Sequence, residues 1–382
     1  MDLLSGVFSL GNWTTTYVLP FLLVITIVVF VHEMGHFLVA RFFGVRVEAF
    51  SIGFGREILG WNDRRGTRWK VCWIPLGGYV KFVGDENAAS QPLTAEKLAL
   101  IPPEQRDGLF IGKPVAQRAW IVAAGPIANF LLAIAEFAGL FMAFGRPVIE
   151  PRVDWVEPGS AAEVAGLRVG DVFVAVDGRS VETVSEVQRL VATSNGRQIA
   201  LVVRRGAGET TLEAVARPRE IVDRVSGRHT IWVLGVRTTT GPSGATFETV
   251  DPVSAVWLGA RESWFVVDRT AVFIRDLFIG KANPEELGGP IRIAQVSGQA
   301  ASISIYALFS LMAVLSVSIG LLNLFPIPML DGGHLVFYAA EALRGRPLSE
   351  RTQELGYRFG LVFVIGLMIF ATWNDLGRLF AS

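Results

Sequence analysis

Val31-His32-Glu33-Met34-Gly35-His36-Phe37 lies inside an apolar run that extends from about Tyr17 to Phe43, and this placement decides how the chain is read. HExxH on a helix sets two imidazoles four residues apart on one face, where both can bind one Zn²⁺. The Glu between them can reach a water at the metal and serve as general base. Charged and metal-ligating groups are costly in a membrane span, so their presence there marks function.

The composition fits that setting. Of 382 residues 51% are hydrophobic and only 18% charged, the balance of a polytopic membrane protein with some soluble mass. The 35 basic and 35 acidic side chains cancel, so nothing points to nucleic acid. Cys72 is the single cysteine, which excludes an intrachain disulfide and a cysteine-based zinc cluster. Met1 to Asn12 carries no Lys or Arg, so no secretory signal peptide is expected and the first run should be retained.

Four runs are long enough to be spans: about Tyr17–Phe43, Trp120–Phe144, Tyr306–Phe325 and Gly360–Trp373, the last short unless its flanks extend it. Basic residues crowd the segment from Arg41 to Arg118 and recur at Arg344, Arg346, Arg351 and Arg358. By the positive-inside rule these two loops are cytoplasmic and both termini face outward.

A catalytic zinc usually takes three protein ligands and keeps one position open. Glu136, Asp331 and His334 are the candidates in apolar context. His32 is nine residues from Arg41, roughly 13 Å from the cytoplasmic edge at helical rise. Glu136 is eighteen residues from Arg118, roughly 27 Å from that edge, which is the wrong depth. Asp331 follows the third span, thirteen residues before Arg344, and can meet the two histidines. Its context is Asn323-Leu-Phe-Pro326-Ile-Pro328-Met-Leu-Asp331-Gly332-Gly333-His334. Pro326 and Pro328 must open the helix. Irregular backbone at membrane depth is tolerated only in protein or against a wet cavity. Asp-Gly-Gly alone would read as a loop turn; beside an intramembrane HExxH, the ligand reading is preferred.

The pair HEMGH and NLFPIPMLDGGH resembles the site-2 protease family of intramembrane zinc metalloproteases, in particular the bacterial RseP (regulator of sigma-E protease) type. Ile121-Val-Ala-Ala-Gly125-Pro126-Ile-Ala-Asn129, Ile74-Pro-Leu-Gly-Gly-Tyr-Val80 and Leu287-Gly-Gly-Pro290 agree, so the resemblance covers nearly the whole chain. It implies one Zn²⁺ held by His32, His36 and Asp331, with Glu33 as catalytic base. It implies that Asn323, in the segment with Pro326 and Pro328, helps hold the substrate backbone. It further implies a membrane-dipping β-structure in the cytoplasmic loop 45–82, whose edge, with Gly77, Gly78 and Tyr79, pairs with an unwound substrate. From residues alone that loop is Gly-rich with strand propensity. Arg292 stands where the family suggests a small residue.

Residues 147–240 read as an inserted α+β domain. Short β-type runs lie at Val153–Val156, Asp171–Val176 and Ile199–Arg204, and Asp177-Gly178 is a hairpin turn. Glu157-Pro-Gly-Ser160 through Gly170-Asp171 resembles bacterial protease PDZ domains; RseP proteins commonly carry two, and this chain has room for one. Leu234, Gly235 and Val236 are then candidates for the loop that receives a C-terminal carboxylate, with a steric gate as the competing role. Pro252 to Gly280 is apolar, but Arg261/Glu262, Asp268/Arg269 and Arg275/Asp276 recur every seven residues and make a polar stripe. An amphipathic helix at the membrane surface is expected there, not a fifth span.

The expected architecture is thus a polytopic α-helical membrane protein of about four transmembrane helices: an N-terminal membrane region 1–146, a periplasmic PDZ domain 147–240, an interfacial helix 252–280 and a C-terminal membrane region 281–382. The resemblance implies a multi-pass protease of the bacterial inner membrane, its site toward the cytoplasm. By the same resemblance its expected substrates are single-pass membrane proteins, such as anti-sigma factors in the sigma-E stress response or remnant signal peptides. Its partners would be those substrates, membrane lipid and a C-terminal peptide at the PDZ domain. Two competing readings are a membrane-anchored PDZ adaptor with a structural metal site and a metal transporter, the latter disfavoured by the lack of internal repeats.

Overall fold

The computed structural model describes residues 14–84, 108–148, 151–223, 227–238, 246–280 and 282–381. The chain divides into two compact units, residues 141–252 and the remainder.

In the larger unit, a π-turn at Thr14–Val18 leads into α1 (Leu19–Phe42), with Pro20 in its first turn, where a missing N–H costs nothing. Its buried positions are Val24, Val28, His32, Gly35, Phe37 and Ala40; the first four are spaced four, four and three apart, so one stripe serves both packing and the metal motif. Val24 and Val28 join Met312 in a core lined by Ile27, Leu132, Leu308, Leu315 and Ile319. Among the described residues, four helices are long and apolar enough to cross a membrane: Thr15–Phe42, Val115–Phe144, Ile305–Asn323 and Arg351–Arg378. The fourth is longer than its apolar centre suggests. Nothing breaks the helix between Glu350 and Ala381, so the polar turns around Tyr357 and Asn374 are carried along.

The loop after α1 forms β1 (Val47–Asn62) and β2 (Arg68–Phe82), paired antiparallel with several register shifts. Residues 49–52 of β1 each have two partners: Ser51, for example, pairs with Tyr79 on one side and Lys70 on the other. Residues 78–82 therefore form an outer edge. Phe50 is fully buried and packs with Phe30, Phe37 and Trp69, which fixes the sheet to α1. Arg41 near the end of α1 pairs with Asp63 in the hairpin turn, and Trp69 Nε1 donates to the same carboxylate at 3.2 Å. Trp73, Ile74, Ile58 and Leu59 are exposed apolar groups on this hairpin.

Next comes α2 (Val115–Phe144), with Pro126 inside it. After the smaller unit, whose α3 and α4 are described below, α5 (Pro252–Phe278) exposes Val253, Val256, Trp257 and Trp264 while burying Ala255, Ser263 and Val266. It is a surface helix with an apolar exposed side. Then follow α6 (Pro290–Ile303), α7 (Ile305–Asn323), α8 (Asp331–Arg344) and α9 (Glu350–Ala381). Ser304 separates α6 from α7 and caps the latter, accepting from Ala307 N–H at 3.0 Å. Asp375 of α9 caps α6 across the fold: its carboxylate accepts from the N–H groups of Gly289, Ile291 and Arg292 at 2.9, 3.1 and 3.1 Å.

The smaller unit reaches beyond the 147–240 expected from sequence, because β3 (Arg146–Val148) pairs with β12 (Thr246–Glu248) and closes it at both ends. Its main sheet has the order β6-β5-β7-β8, with β5 Val172–Val176, β6 Arg179–Ser180, β7 Gln198–Arg205 and β8 Gly208–Val215. The Asp177-Gly178 turn joins β5 to β6 with φ +50° and +74°, the twist two-residue hairpins favour. Alternate residues Ile199, Leu201 and Val203 are buried with Val153, Phe173 and Val176. Two short helices, α3 (Ala161–Val164) and α4 (Val184–Ala192), are capped by Ser160 and by a Thr183/Glu186 capping box. The pairs β9 (Arg217–Asp223) with β10 (Gly227–Val233), and β4 (Val153–Val156) with β11 (Val236–Thr238), complete it.

Candidate active site

Two elements far apart in sequence converge on one point. His32 and His36 come from one face of α1, and Asp331 begins α8. The Nε2 atoms of the two histidines are 3.2 Å apart. Asp331 Oδ2 is 3.1 Å from His32 Nε2, and Oδ1 is 3.5 Å from His36 Nε2. A tetrahedral zinc with bonds near 2.0–2.1 Å separates its ligand atoms by roughly 3.3 Å, so these spacings suit it. The short approach to His32 leaves Asp331 Oδ2 buried with no hydrogen-bond partner among the described residues. Such an oxygen lacks hydrogen-bonding geometry toward its neighbour and is free to face a cation. Burial opposes ionisation of Asp331, but His36 and His32 beside it outweigh that and hold the carboxyl well below the usual range. The carboxylate also starts a helix, where the dipole favours negative charge.

The proline-broken segment explains how Asp331 arrives there. Gly332 and Gly333 are helical residues of α8, not a loop turn: their missing side chains let α8 lie against the carbonyls of Leu324, Phe325 and Ile327. Met329, just before the ligand, has φ +93°, a strained conformation for a non-glycine residue. Asn323 ends α7 half-buried, and its side chain has no hydrogen-bond partner among the described residues. Pro326 is exposed and Pro328 half-buried.

Glu33 lies between the ligands and faces the β-hairpin. The backbone N–H of Val80 hydrogen-bonds its carboxylate. A Cβ at Gly78 would come within 3.2 Å of Glu33 Cγ and closer still to Ser51 O, so the strand approaches the base only because this residue has no side chain. Neighbouring Gly77 faces the Phe54 ring, and Tyr79 stacks on that ring at 6.0 Å. The outer edge of β2 therefore runs beside the catalytic candidate.

Helix α2 closes the back of the site. His36 Nδ1 donates to Ile121 O at 2.9 Å, and Asn129 Nδ2 lies 3.4 Å from His32 Nδ1. Gly125 sits behind both rings, with no space for a Cβ. The other two ligand candidates stay apart. His334 faces the Tyr357 hydroxyl at 3.4 Å, and burial pushes its imidazole below the ordinary range. Glu136 has both carboxylate oxygens buried with no hydrogen-bond partner among the described residues.

In the smaller unit, Leu234 O and Gly235 O accept from Ala162 N and Glu157 N at 2.8 Å each, and Val236 pairs with Val156. These three residues form a fixed loop beside the cap of α3.

Residues 20–367 match peptidase family M50. The chain belongs to peptidase family M50. A Rhizobium meliloti protein named as a zinc metalloprotease is 48% identical over 365 residues, covering 95% of this chain and 97% of its own. A similarly named Agrobacterium fabrum protein is 47% identical over 98% of this chain and all of its own length. Metalloprotease MmpA of Caulobacter vibrioides is 41% identical over 94% of each chain. A solved PDZ domain of the SdrC-like protein of Listeria monocytogenes aligns with 23% of this chain and 85% of its own at 15% identity, with a TM-score of 0.19, and adds no weight to the PDZ reading. As an M50 peptidase this protein is a zinc-dependent metalloprotease, and its four long apolar helices suit the membrane setting of that family.

Proposed function

We propose that this M50 peptidase cuts peptide bonds in or near transmembrane segments of single-pass membrane proteins. One observation carries the reading: the HExxH pair lies well inside a helix long and apolar enough to cross a membrane, and Asp331 is brought to it. His32, His36 and Asp331 would hold the zinc. When bound, the ion acts as a Lewis acid that polarises a carbonyl and acidifies water. Glu33 takes a proton from the attacking water and passes it to the leaving amine, held for this by the Val80 N–H.

A transmembrane helix hides its scissile carbonyls in its own hydrogen bonds, so the substrate must unwind locally. The outer edge at 78–82, paired with β1 on one side, suits an extended segment, as strand addition requires, while its Val80 N–H stays with Glu33. The unpartnered Asn323 amide offers another donor and acceptor. By resemblance, anti-sigma factors and remnant signal peptides are the substrate classes, and the membrane is the bacterial inner membrane with the site toward the cytoplasm. The smaller unit, read as an outward-facing PDZ domain, would exclude bulky uncut ectodomains or receive a C-terminal carboxylate at 234–236. Membrane lipid covers the four spans and the exposed tryptophans of α5.

The test uses the detergent-purified full chain and a labelled single-pass substrate with a trimmed ectodomain. Cleavage within the membrane segment, abolished by a chelator and restored by zinc, supports the reading. Cleavage confined to soluble peptides, with membrane substrates intact, contradicts it. Zinc bound with no turnover on several trimmed substrates would favour the adaptor reading.

A further inference from the structure

The two histidines use their second nitrogens differently. His36 Nδ1 faces the carbonyl of Ile121 at 2.9 Å, an acceptor that fixes the proton on Nδ1 and leaves Nε2 with a lone pair for a metal. His32 Nδ1 faces an amide nitrogen of Asn129, at 3.4 Å. An imidazole that ligates through Nε2 carries its proton on Nδ1, so this contact sets donor against donor. Asn129 is fully buried, and its Oδ1 has no hydrogen-bond partner among the described residues. Two unmatched groups thus belong to one side chain whose oxygen and nitrogen ends are nearly alike in shape.

We infer that Asn129 is the positioning residue for His32, and that its amide presents Oδ1 to His32 Nδ1–H when zinc is bound. Turning the amide replaces the donor–donor contact with one hydrogen bond and carries the NH2 to the position where Oδ1 has no partner. The geometry around Asn129 suits this task. Gly125, one turn earlier on α2, lets the helix lie against both imidazole rings. Ser316 Oγ donates to the backbone carbonyl of Asn129 at 2.8 Å, fixing the turn from the side of α7. That contact uses the backbone and survives a side-chain change. Asn129 therefore does for His32 what the Ile121 carbonyl does for His36: it sets the tautomer and the ring direction. The inference rests on the reading of His32, His36 and Asp331 as the zinc ligands.

Zinc affinity of the detergent-purified full chain, measured by competition with a chromophoric chelator, tests it without any substrate. Asn129→Leu removes the acceptor and should weaken zinc binding about 10- to 100-fold. Asn129→Asp keeps an oxygen at the same place and should bind zinc within about threefold of wild type, well short of that loss. Asn129→Ala serves in place of the Leu variant if bulk at this buried site prevents folding. Unchanged affinity in the Leu or Ala variant, or an equal loss in the Asp variant, overturns the inference. His32→Ala should lose zinc; if it does not, the ligand reading fails and takes this inference with it.

Discussion

Arg118 Nη2 donates to Glu341 Oε1 at 2.6 Å, tying the first turn of α2 to the helix whose first residue is Asp331. Both side chains are largely out of solvent, 12% and 13% exposed, and Arg118 also lies over the Tyr338 ring at 4.9 Å. Removing one partner leaves a buried charge unpaired, which costs about 3–5 kcal/mol, whereas replacing both with apolar groups is often close to neutral. Arg118→Met should therefore lower the unfolding midpoint and weaken zinc retention, and Arg118→Met with Glu341→Leu should recover most of both. A double variant no better than the single would show that the pair does not hold α8 in place.

Two glycines separate metal binding from catalysis. Gly125→Ala pushes a methyl into the imidazole rings of His36 and His32, so zinc affinity should fall by about tenfold or more. Gly78→Ala pushes β2 away from Ser51 and Glu33 without touching a ligand, so zinc should stay bound while kcat falls by about 10²-fold. Zinc content and single-turnover rates of both variants check the split; equal loss of zinc in both would contradict it.

The smaller unit should respond to acid through Asp171. Burial raises its carboxyl, but hydrogen bonds from Arg205, at 2.8 and 2.7 Å, and from Arg168 N–H outweigh this and lower it. A lowered folded-state pKa means stabilisation that is complete above the unfolded value of about 3.9 and is lost as pH falls through the folded one. The protection factors of amides in β7 of the full chain, exchange being referred to the intrinsic rate at each pH, should fall below about pH 4 in wild type. Asp171→Asn should show low protection already at neutral pH, with little further change in protection in acid. A wild-type profile unchanged by the substitution would refute this.

Much of this arrangement was legible because it is local or repetitive. HExxH needs only helical spacing, the spans need only apolar length, and the proline pair marks an opened backbone before Asp331. What was not legible depends on contacts across the chain. Asn129 reaches His32 over 97 positions, and Asp375 caps α6 from more than 80 residues away, so neither leaves a local pattern. The Val80 N–H on Glu33 is a backbone contact that no side-chain pattern reports. Asp-Gly-Gly resembled a turn because glycine pairs usually serve flexibility; here close packing on the carbonyls of 324, 325 and 327 is the reason. The fourth helix looked short because polar residues near its ends dilute its hydropathy without breaking it.

Catalysis by Glu33 is tested most directly by comparing wild type with Glu33→Gln on a labelled single-pass membrane substrate, with bound zinc quantified in both. The expected result is zinc retained in the variant and cleavage slowed by at least about 10²-fold. Similar cleavage by the two proteins, with zinc present in each, would contradict the assignment of Glu33 as the base.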